Sequence, residues 1–318
     1  MLARLFPDKF ILILLATILV ATVLPARGQG LAIAGHISNA AIFSLFFFHG
    51  LRLERSAVWA GVTHWRLQLA ILGCTFVVLP LLALAFHRTI PSTLPPEIWA
   101  GIFFLSALPS TVQAAIASTS MAKGNVAASV VAAAISNLSA VVLTPLILAA
   151  MISIGAGGTD LSAIGRVAVL LLLPFALGQI ARTWLTAWAE RNRAWIGRLD
   201  RLTIVLAIYV AFSAAVNEGL WSRLSASVLV AVTLVVIAML ALAFAASWGA
   251  GAVLGLPRED RVSLFFAGAH KSLATGAPMA RILFPAASAG LIVIPLMIYH
   301  QLQLMISAWI AARWGRVT

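Results

Sequence analysis

The chain has 318 residues, 62% of them hydrophobic and 9% charged, with 21 Lys and Arg against 9 Asp and Glu and a formal net charge of +12. Soluble domains carry about 25% charged residues, so this composition excludes a soluble enzyme or binding module and leaves a polytopic membrane protein. Nor does the basic excess point to nucleic acid, because the arginines stand in short polar loops between apolar runs, where they read as topology signals and lipid-headgroup contacts.

In chain order, polar and turn-rich stretches divide the sequence into ten predicted spans, approximately 9–26, 31–51, 66–87, 97–121, 124–152, 161–182, 200–218, 225–254, 260–284 and 288–312. Most are near the ~20 residues that cross a hydrocarbon core. The nine carboxylates (Asp8, Glu54, Glu97, Asp160, Glu190, Asp200, Glu218, Glu259 and Asp260) fall in or beside the interruptions. A charge in hydrocarbon is costly enough to require that placement. The first span follows Arg4 and Lys9 and resembles a secretory signal. The next span begins within a few residues, so the first is expected to stay as a helix. The longest connection is expected at Arg182–Asp200. Cys74 is alone in an apolar run, which rules out an internal disulfide and makes a metal cluster implausible. No cofactor is expected.

Orientation follows from the basic residues. With the N-terminus in the cytoplasm, fifteen Lys and Arg fall on the cytoplasmic side and only Arg27, Arg88 and Arg223 on the outer side. Arg166, Lys271 and Arg281 lie within spans. So one-sided a count needs an even number of spans and puts both termini in the cytoplasm; the membrane is expected to be a bacterial plasma membrane. Ten helices divide as 1–152 (helices 1–5) and 153–318 (helices 6–10). Five per half makes the halves opposite in orientation, the geometry of an inverted repeat. Phe103-Phe104 and Phe265-Phe266, then Ser136-Asn137 and His300-Gln301, recur at nearly one spacing.

Two spans carry polar interruptions at mid-membrane. The fourth reads Leu108-Pro109-Ser110-Thr111-Val112-Gln113, and the ninth His270-Lys271-Ser272-Leu273-Ala274-Thr275-Gly276-Ala277-Pro278. Proline removes a donor and clashes with the preceding turn, so Pro109, Gly276 and Pro278 are predicted to break the helices there. Unwound carbonyls with the hydroxyls and amide of Ser110, Thr111 and Gln113 suit a cation or a polar solute, and a matched pair of breaks marks the binding centre of a secondary transporter. A simple proline kink healed by Ser110 and Thr111 is the alternative. Lys271 lies about a dozen residues into its span, too deep to reach the interface easily, and no Asp or Glu shares its depth. Its partner is then carbonyls, water or an anionic ligand, unless it gives up its proton and ferries one.

Ser272 and Thr275 follow the lysine. Ser136, Asn137 and Thr144-Pro145 occupy the helix after the first break, and His300, Gln301 and Gln303 the helix after the second. Ordinary interhelical hydrogen bonding also explains such residues. His36, Asn39 and His49 read as structural. Trp59, Trp65, Trp99, Trp184, Trp195, Trp221, Trp309 and Trp314 read as interface anchors. The small residues of Ala127–Ala134 and Ala241–Ala252 suggest close helix contacts.

On these residues the chain resembles the bile acid:sodium symporter superfamily, and within it the SBF-like branch. The likeness covers nearly the whole chain and rests on Leu108-Pro-Ser-Thr-Val-Gln113, Gly124-Asn-Val126, Ser136-Asn137 with Leu143-Thr-Pro145, Lys271-Ser-Leu-Ala274 through Gly276-Ala-Pro-Met279, and His300-Gln-Leu-Gln-Leu-Met305. The resemblance implies an all-α membrane fold with ten transmembrane helices, two inverted five-helix repeats, panel and core domains, and discontinuous helices 4 and 9 that cross. It also implies Na⁺ held by hydroxyls and amides of helices 4 and 5 and a carboxylate of helix 9, with Ser110, Thr111, Ser136 and Asn137 in the first roles. The carboxylate is missing here: no Asp or Glu follows Val262, and Lys271 stands in that neighbourhood.

The expected function is therefore secondary active transport of a small organic anion, bile-acid-like or another carboxylate, by alternating access and rocking of one domain against the other. Sodium symport, and proton-coupled or uncoupled transport with Lys271 replacing the cation, both stay open, as does a non-transporting regulator of ion homeostasis. The site is expected at Ser110, Thr111, Gln113, Ser136, Asn137, Lys271, Ser272, Thr275, His300 and Gln301. An intramembrane enzyme built on His270, His300 or Ser110 is disfavoured: the sequence has neither a zinc-protease His-Glu pattern nor a serine nucleophile elbow.

Overall fold

The computed structural model describes residues 9–52, 64–90, 94–156 and 161–316. The expected anchor Trp59, with Arg4, Asp8, Glu54, Arg55 and Asp160, lies outside the described residues, as does the side chain of Arg166. Regular structure among the described residues is entirely helical. It comprises α1 (Lys9–Val23), α2 (Gly28–Arg52), α3 (Trp65–Gly73) continued by a π-helical turn (Cys74–Val78) into α4 (Leu79–Thr89), α5 (Pro96–Ala107), α6 (Gln113–Met121) and α7 (Val126–Ala156). There follow α8 (Leu161–Arg191), α9 (Arg193–Asn217), the short α10 (Leu220–Arg223), α11 (Ala226–Val253), α12 (Arg258–Ala269), α13 (Leu273–Leu283) and α14 (Ala286–Trp314). Six helices among the described residues are long and apolar enough to cross a membrane: α2, the continuous α3–α4, α7, α9, α11 and α14. The protein is an integral membrane protein.

The predicted spans 97–121 and 260–284 are each two short helices. α5 starts behind Pro95 and ends at Ala107, because Leu108 turns extended (φ −75°, ψ 156°) ahead of Pro109. α12 starts behind Pro257 and ends at Ala269, where His270 turns extended (φ −69°, ψ 147°). Both helices have 12 residues, and their starts and ends stand 162 residues apart.

Two expectations need correction. Gly276 and Pro278 do not break the second helix, since both lie inside α13. The break falls earlier, at His270–Ser272, and Ser272 sets where the helix restarts. Its Oγ accepts the Thr275 N–H at 3.2 Å, the N-cap bond of a helix start. Pro278, in the second turn, forfeits only its own backbone bond. Arg182–Asp200 is likewise no loop: α8 runs to Arg191, and α9 begins at Arg193 after Asn192 alone.

The chain forms two compact units. The first comprises residues 1–53, 160–226 and 276–294, and the second 54–159, 227–275 and 295–318. In the first unit α2 packs along α8, while α1 and α2 pack on α9. The α2–α8 contact is backbone on backbone. A Cβ on Gly50 would overlap the Phe175 carbonyl, and one on Gly178 would overlap the Phe47 carbonyl. Gln179 Nε2 donates to the Gly50 carbonyl, and Arg52 pairs with Asp200 at 2.9 Å. Close packing was expected from the small residues of α7 and α11, but the tightest approach falls on these two isolated glycines.

In the second unit α3, α6, α7 and α12 bury a core of Leu67, Ile71, Cys74, Ala115, Ala128, Ala132, Leu264 and Ala267. Asn125 caps α7 by accepting the Ala128 N–H at 3.0 Å and donates to Asp260 at 2.8 Å. That bond seats the Gly124-Asn125 turn on the first turn of α12. Among the expected anchors, Trp65, Trp184, Trp195, Trp221 and Trp309 are exposed, but Trp99 is buried against His87 and Phe103. Trp314 packs on Trp248 and Phe265.

Candidate functional site

Both helix breaks lie in the second unit, where they bond to each other. The Ser272 N–H in the second break donates to the Pro109 carbonyl in the first at 2.9 Å. Lys271 is completely buried, and its ammonium donates to the carbonyls of Ser106 (2.6 Å), Leu108 (2.6 Å) and Thr75 (2.8 Å). An ammonium has three hydrogens, and each finds a carbonyl. The Phe76 ring lies 5.8 Å from Nζ.

These carbonyls are available for definite reasons. α5 stops at Ala107, so the last carbonyls of its final turn have no donor further along the helix. Ser106 O would have met the Ser110 N–H in a continued helix, but that N–H donates instead to Ser136 Oγ at 3.0 Å. Thr75 O is freed differently. The Leu79 N–H reaches back to Cys74 in the π turn, and the next residue, Pro80, has no N–H to offer. A helix C-terminus also concentrates negative partial charge. The lysine is thus held at the kind of place that suits a small desolvated cation.

The rest of the break is satisfied almost group by group, as backbone at membrane depth requires. Ala107 O accepts from Thr144 Oγ1 at 2.7 Å, and Ser110 O from Asn137 Nδ2 at 3.1 Å. In the second break, Ala269 O accepts from the Tyr299 hydroxyl at 2.7 Å. Gln303 clamps the Lys271 peptide from both sides: its Oε1 accepts the Lys271 N–H at 2.7 Å and its Nε2 donates to the Lys271 carbonyl at 2.8 Å. Gln303→Leu would leave the buried Lys271 N–H without a partner and its carbonyl with His300 alone, and is expected to cost about 2 kcal/mol or more. Gln301→Leu, which removes a buried amide oxygen that has no donor, should cost clearly less. Thermal unfolding of the two purified variants in one detergent makes the comparison.

The predicted site residues separate into those the structure gathers and those it does not. Ser272 Oγ donates to Thr275 Oγ1 at 3.1 Å, and Thr275 Oγ1 to Asn137 Oδ1 at 2.9 Å, so Ser110, Ser136, Asn137, Ser272 and Thr275 form one chain of hydrogen bonds. Thr111 belongs to a neighbouring arm, where its Oγ1 lies 3.0 Å from His270 Nδ1 and His270 Nε2 lies 2.7 Å from Ser307 Oγ. His300 Nδ1 sits 3.2 Å from the Lys271 carbonyl and 2.9 Å from Gln303 Nε2. Gln113 is exposed on the first turn of α6, and Gln303, rather than Gln301, reaches the break. Sequence reading passed over Pro80 and Ser307. For Gln303 the signal was its spacing of three from His300, which puts both on one helix face.

The chain belongs to the SBF-like CPA transporter family, whose model matches residues 8–316. A Pseudomonas aeruginosa protein, "Uncharacterized protein PA2026", is 45% identical over 314 residues, covering 98% of this chain and 94% of that protein. The Escherichia coli protein "Putative symporter YfeH" is 40% identical over 311 residues, with 98% and 94% covered. The Xenopus laevis "Sodium/bile acid cotransporter 7-B" is 27% identical over 317 residues, with 97% and 92% covered.

Proposed function

We propose that this protein is a secondary transporter that moves a small organic anion by alternating access around the crossed breaks, with the Lys271 ammonium in the place of a coupling cation. The observation that carries this reading is the three-carbonyl seat, at 2.6–2.8 Å from Nζ, which the first break and the π turn build around a lysine of the second break. A structural lysine has no need of two interrupted helices. Membership of a transporter family supports the transport half of the reading.

The fold that goes with it has ten membrane helices in two inverted repeats, residues 1–152 and 153–318, with panel and core domains. Support comes from the equal length and 162-residue offset of α5 and α12. Both termini lie in the cytoplasm, as the charge count favours, and the membrane is a bacterial plasma membrane, as the Pseudomonas and Escherichia relatives favour. The other partners are lipids.

Sodium is the family-level alternative to the lysine, with Ser110, Thr111, Ser136 and Asn137 as its ligands. One observation favours it: Ser110 Oγ is buried and has no partner among the described groups. Three oppose it. Asn137 points its NH₂ group at the Ser110 carbonyl, its oxygen already accepts from Thr275, and Thr111 faces His270 instead of this cluster. The donor set fits Na⁺ poorly, so the coupling reading rests on Lys271.

The test is solute counterflow in proteoliposomes with labelled monocarboxylates, dicarboxylates and bile acids. Uptake is expected for at least one anion, and replacing Na⁺ with choline should leave its rate within about twofold, since no site that Na⁺ must fill contributes to the barrier. Absence of counterflow for every anion by folded protein would favour a non-transporting regulator. A rate that vanishes in choline would restore sodium symport.

A further inference from the structure

Arg281 is a second in-span basic residue, close to the end of α13, and it takes no part in the Lys271 cluster. Its Nε is buried and has no hydrogen-bond partner among the described groups. The ion pair found among the described residues is Arg52–Asp200, so no described carboxylate neutralises this guanidinium. Within the first unit it lines a cavity of about 370 Å³ together with Gly35, His36 and Asn39 of α2, Val210 of α9 and Ala286 of α14. Gly35 makes room for it: a Cβ there would stand only 3.3 Å from Nη2.

These features fit one kind of ligand. A charged side chain within a membrane span is costly and normally has a partner. A guanidinium presents a planar fork of donors that matches a carboxylate in two parallel hydrogen bonds. The His36 ring and Asn39 amide add polar contacts, and Val210 and Ala286 offer apolar wall for a short hydrocarbon portion. The volume falls within the roughly 300–1,000 Å³ of small-molecule sites. By the basic-residue count, the start of α2 and the end of α13 face the outer side.

We propose that this cavity binds the carboxylate of a small organic anion, with Arg281 as its counter-charge. The inference deepens the transport reading by naming where an anion is recognised, yet binding here is measurable whether or not the protein transports. Free phosphate and anionic lipid headgroups share the oxyanion chemistry, so the experiment separates them from a carboxylate.

The reporter is Ala32→Cys, an exposed cavity-lining position, in a chain whose single native cysteine, Cys74, is buried. Labelling of purified protein by a charged maleimide is followed with rising succinate or benzoate, against NaCl of equal ionic strength. At least one carboxylate is expected to protect the thiol saturably. Arg281→Gln should raise the half-protecting concentration at least about tenfold, the weight of one hydrogen bond to a charged group, and Arg281→Lys should raise it less. If Arg281→Gln misfolds, Gly35→Val, which crowds the guanidinium and keeps its charge, must raise the same concentration. Absence of protection, protection indifferent to both substitutions, or protection given only by inorganic phosphate or phosphatidylglycerol vesicles would overturn the proposal. Carboxylate protection in a protein that shows no counterflow would sink the transport reading and leave this site standing.

Discussion

Lys271→Ala is expected to abolish anion counterflow and, in the absence of small cations, to destabilise the second unit. The alanine leaves the carbonyls of Thr75, Ser106 and Leu108 without their donor. An orphaned buried acceptor costs about 1–3 kcal/mol, and three together cost several unless water or an ion enters. Lys271→Met separates the contributions, because it keeps the bulk of the aliphatic stem and removes the charge with its three donors. If the ammonium is the working part, Met and Ala lose transport alike, while Met keeps more stability. Counterflow assays beside thermal unfolding of both variants decide it; wild-type rates in a folded Lys271→Ala protein would remove the lysine from the mechanism.

The sequence made Lys271 visible as a problem and the structure supplies its solution. A lysine a dozen residues into an apolar span, with no carboxylate at its depth, had to meet carbonyls, water or a ligand, and it meets carbonyls. Which carbonyls was not legible. Two of them depend on where α5 stops, which Pro109 announces. The third depends on a π turn in a different span, and Pro80 signals that turn only to a reader who already knows the span passes Lys271. The second break was read at the wrong residues for a related reason. Pro278 and Gly276 are the conspicuous helix breakers, but the capping side chain of Ser272 and the clamp of Gln303 end one helix and start the next upstream of them. Proline states that a backbone bond is missing; it does not state where the chain unwinds when other side chains compete for that role. Long-range partners such as Ser307 for His270 and Thr144 for Ala107 leave no local trace at all.

Gly178→Val is expected to be the most disruptive substitution in the first unit. Its side chain would have to occupy the space of the Phe47 carbonyl on α2, just as a side chain on Gly50 would occupy that of Phe175 on α8. Backbone cannot turn aside as a flexible side chain can, so the helices must separate. Inserted bulk in a packed core typically costs about 1–3 kcal/mol, and loss of this seam, with its Gln179–Gly50 hydrogen bond, should reach or exceed the upper figure. Gly197→Ala is the control. A Cβ at Gly197 meets nothing within 4 Å, and alanine is favoured over glycine within a helix by roughly 0.5–1 kcal/mol, so that variant should be neutral or more stable. Thermal unfolding of both purified variants tests the pair. Equal stability would mean that α2 and α8 are not in backbone contact.

The reading of Lys271 as a tethered cation is met most directly by a NaCl titration of thermal stability, against choline chloride at equal ionic strength, for wild type and Lys271→Ala. Wild type should show no Na⁺-specific gain, because the ammonium already fills the seat. The alanine variant should gain saturable Na⁺-dependent stability as the ion takes the vacated carbonyls. A wild-type protein stabilised by Na⁺ with the same midpoint as the variant would contradict the account.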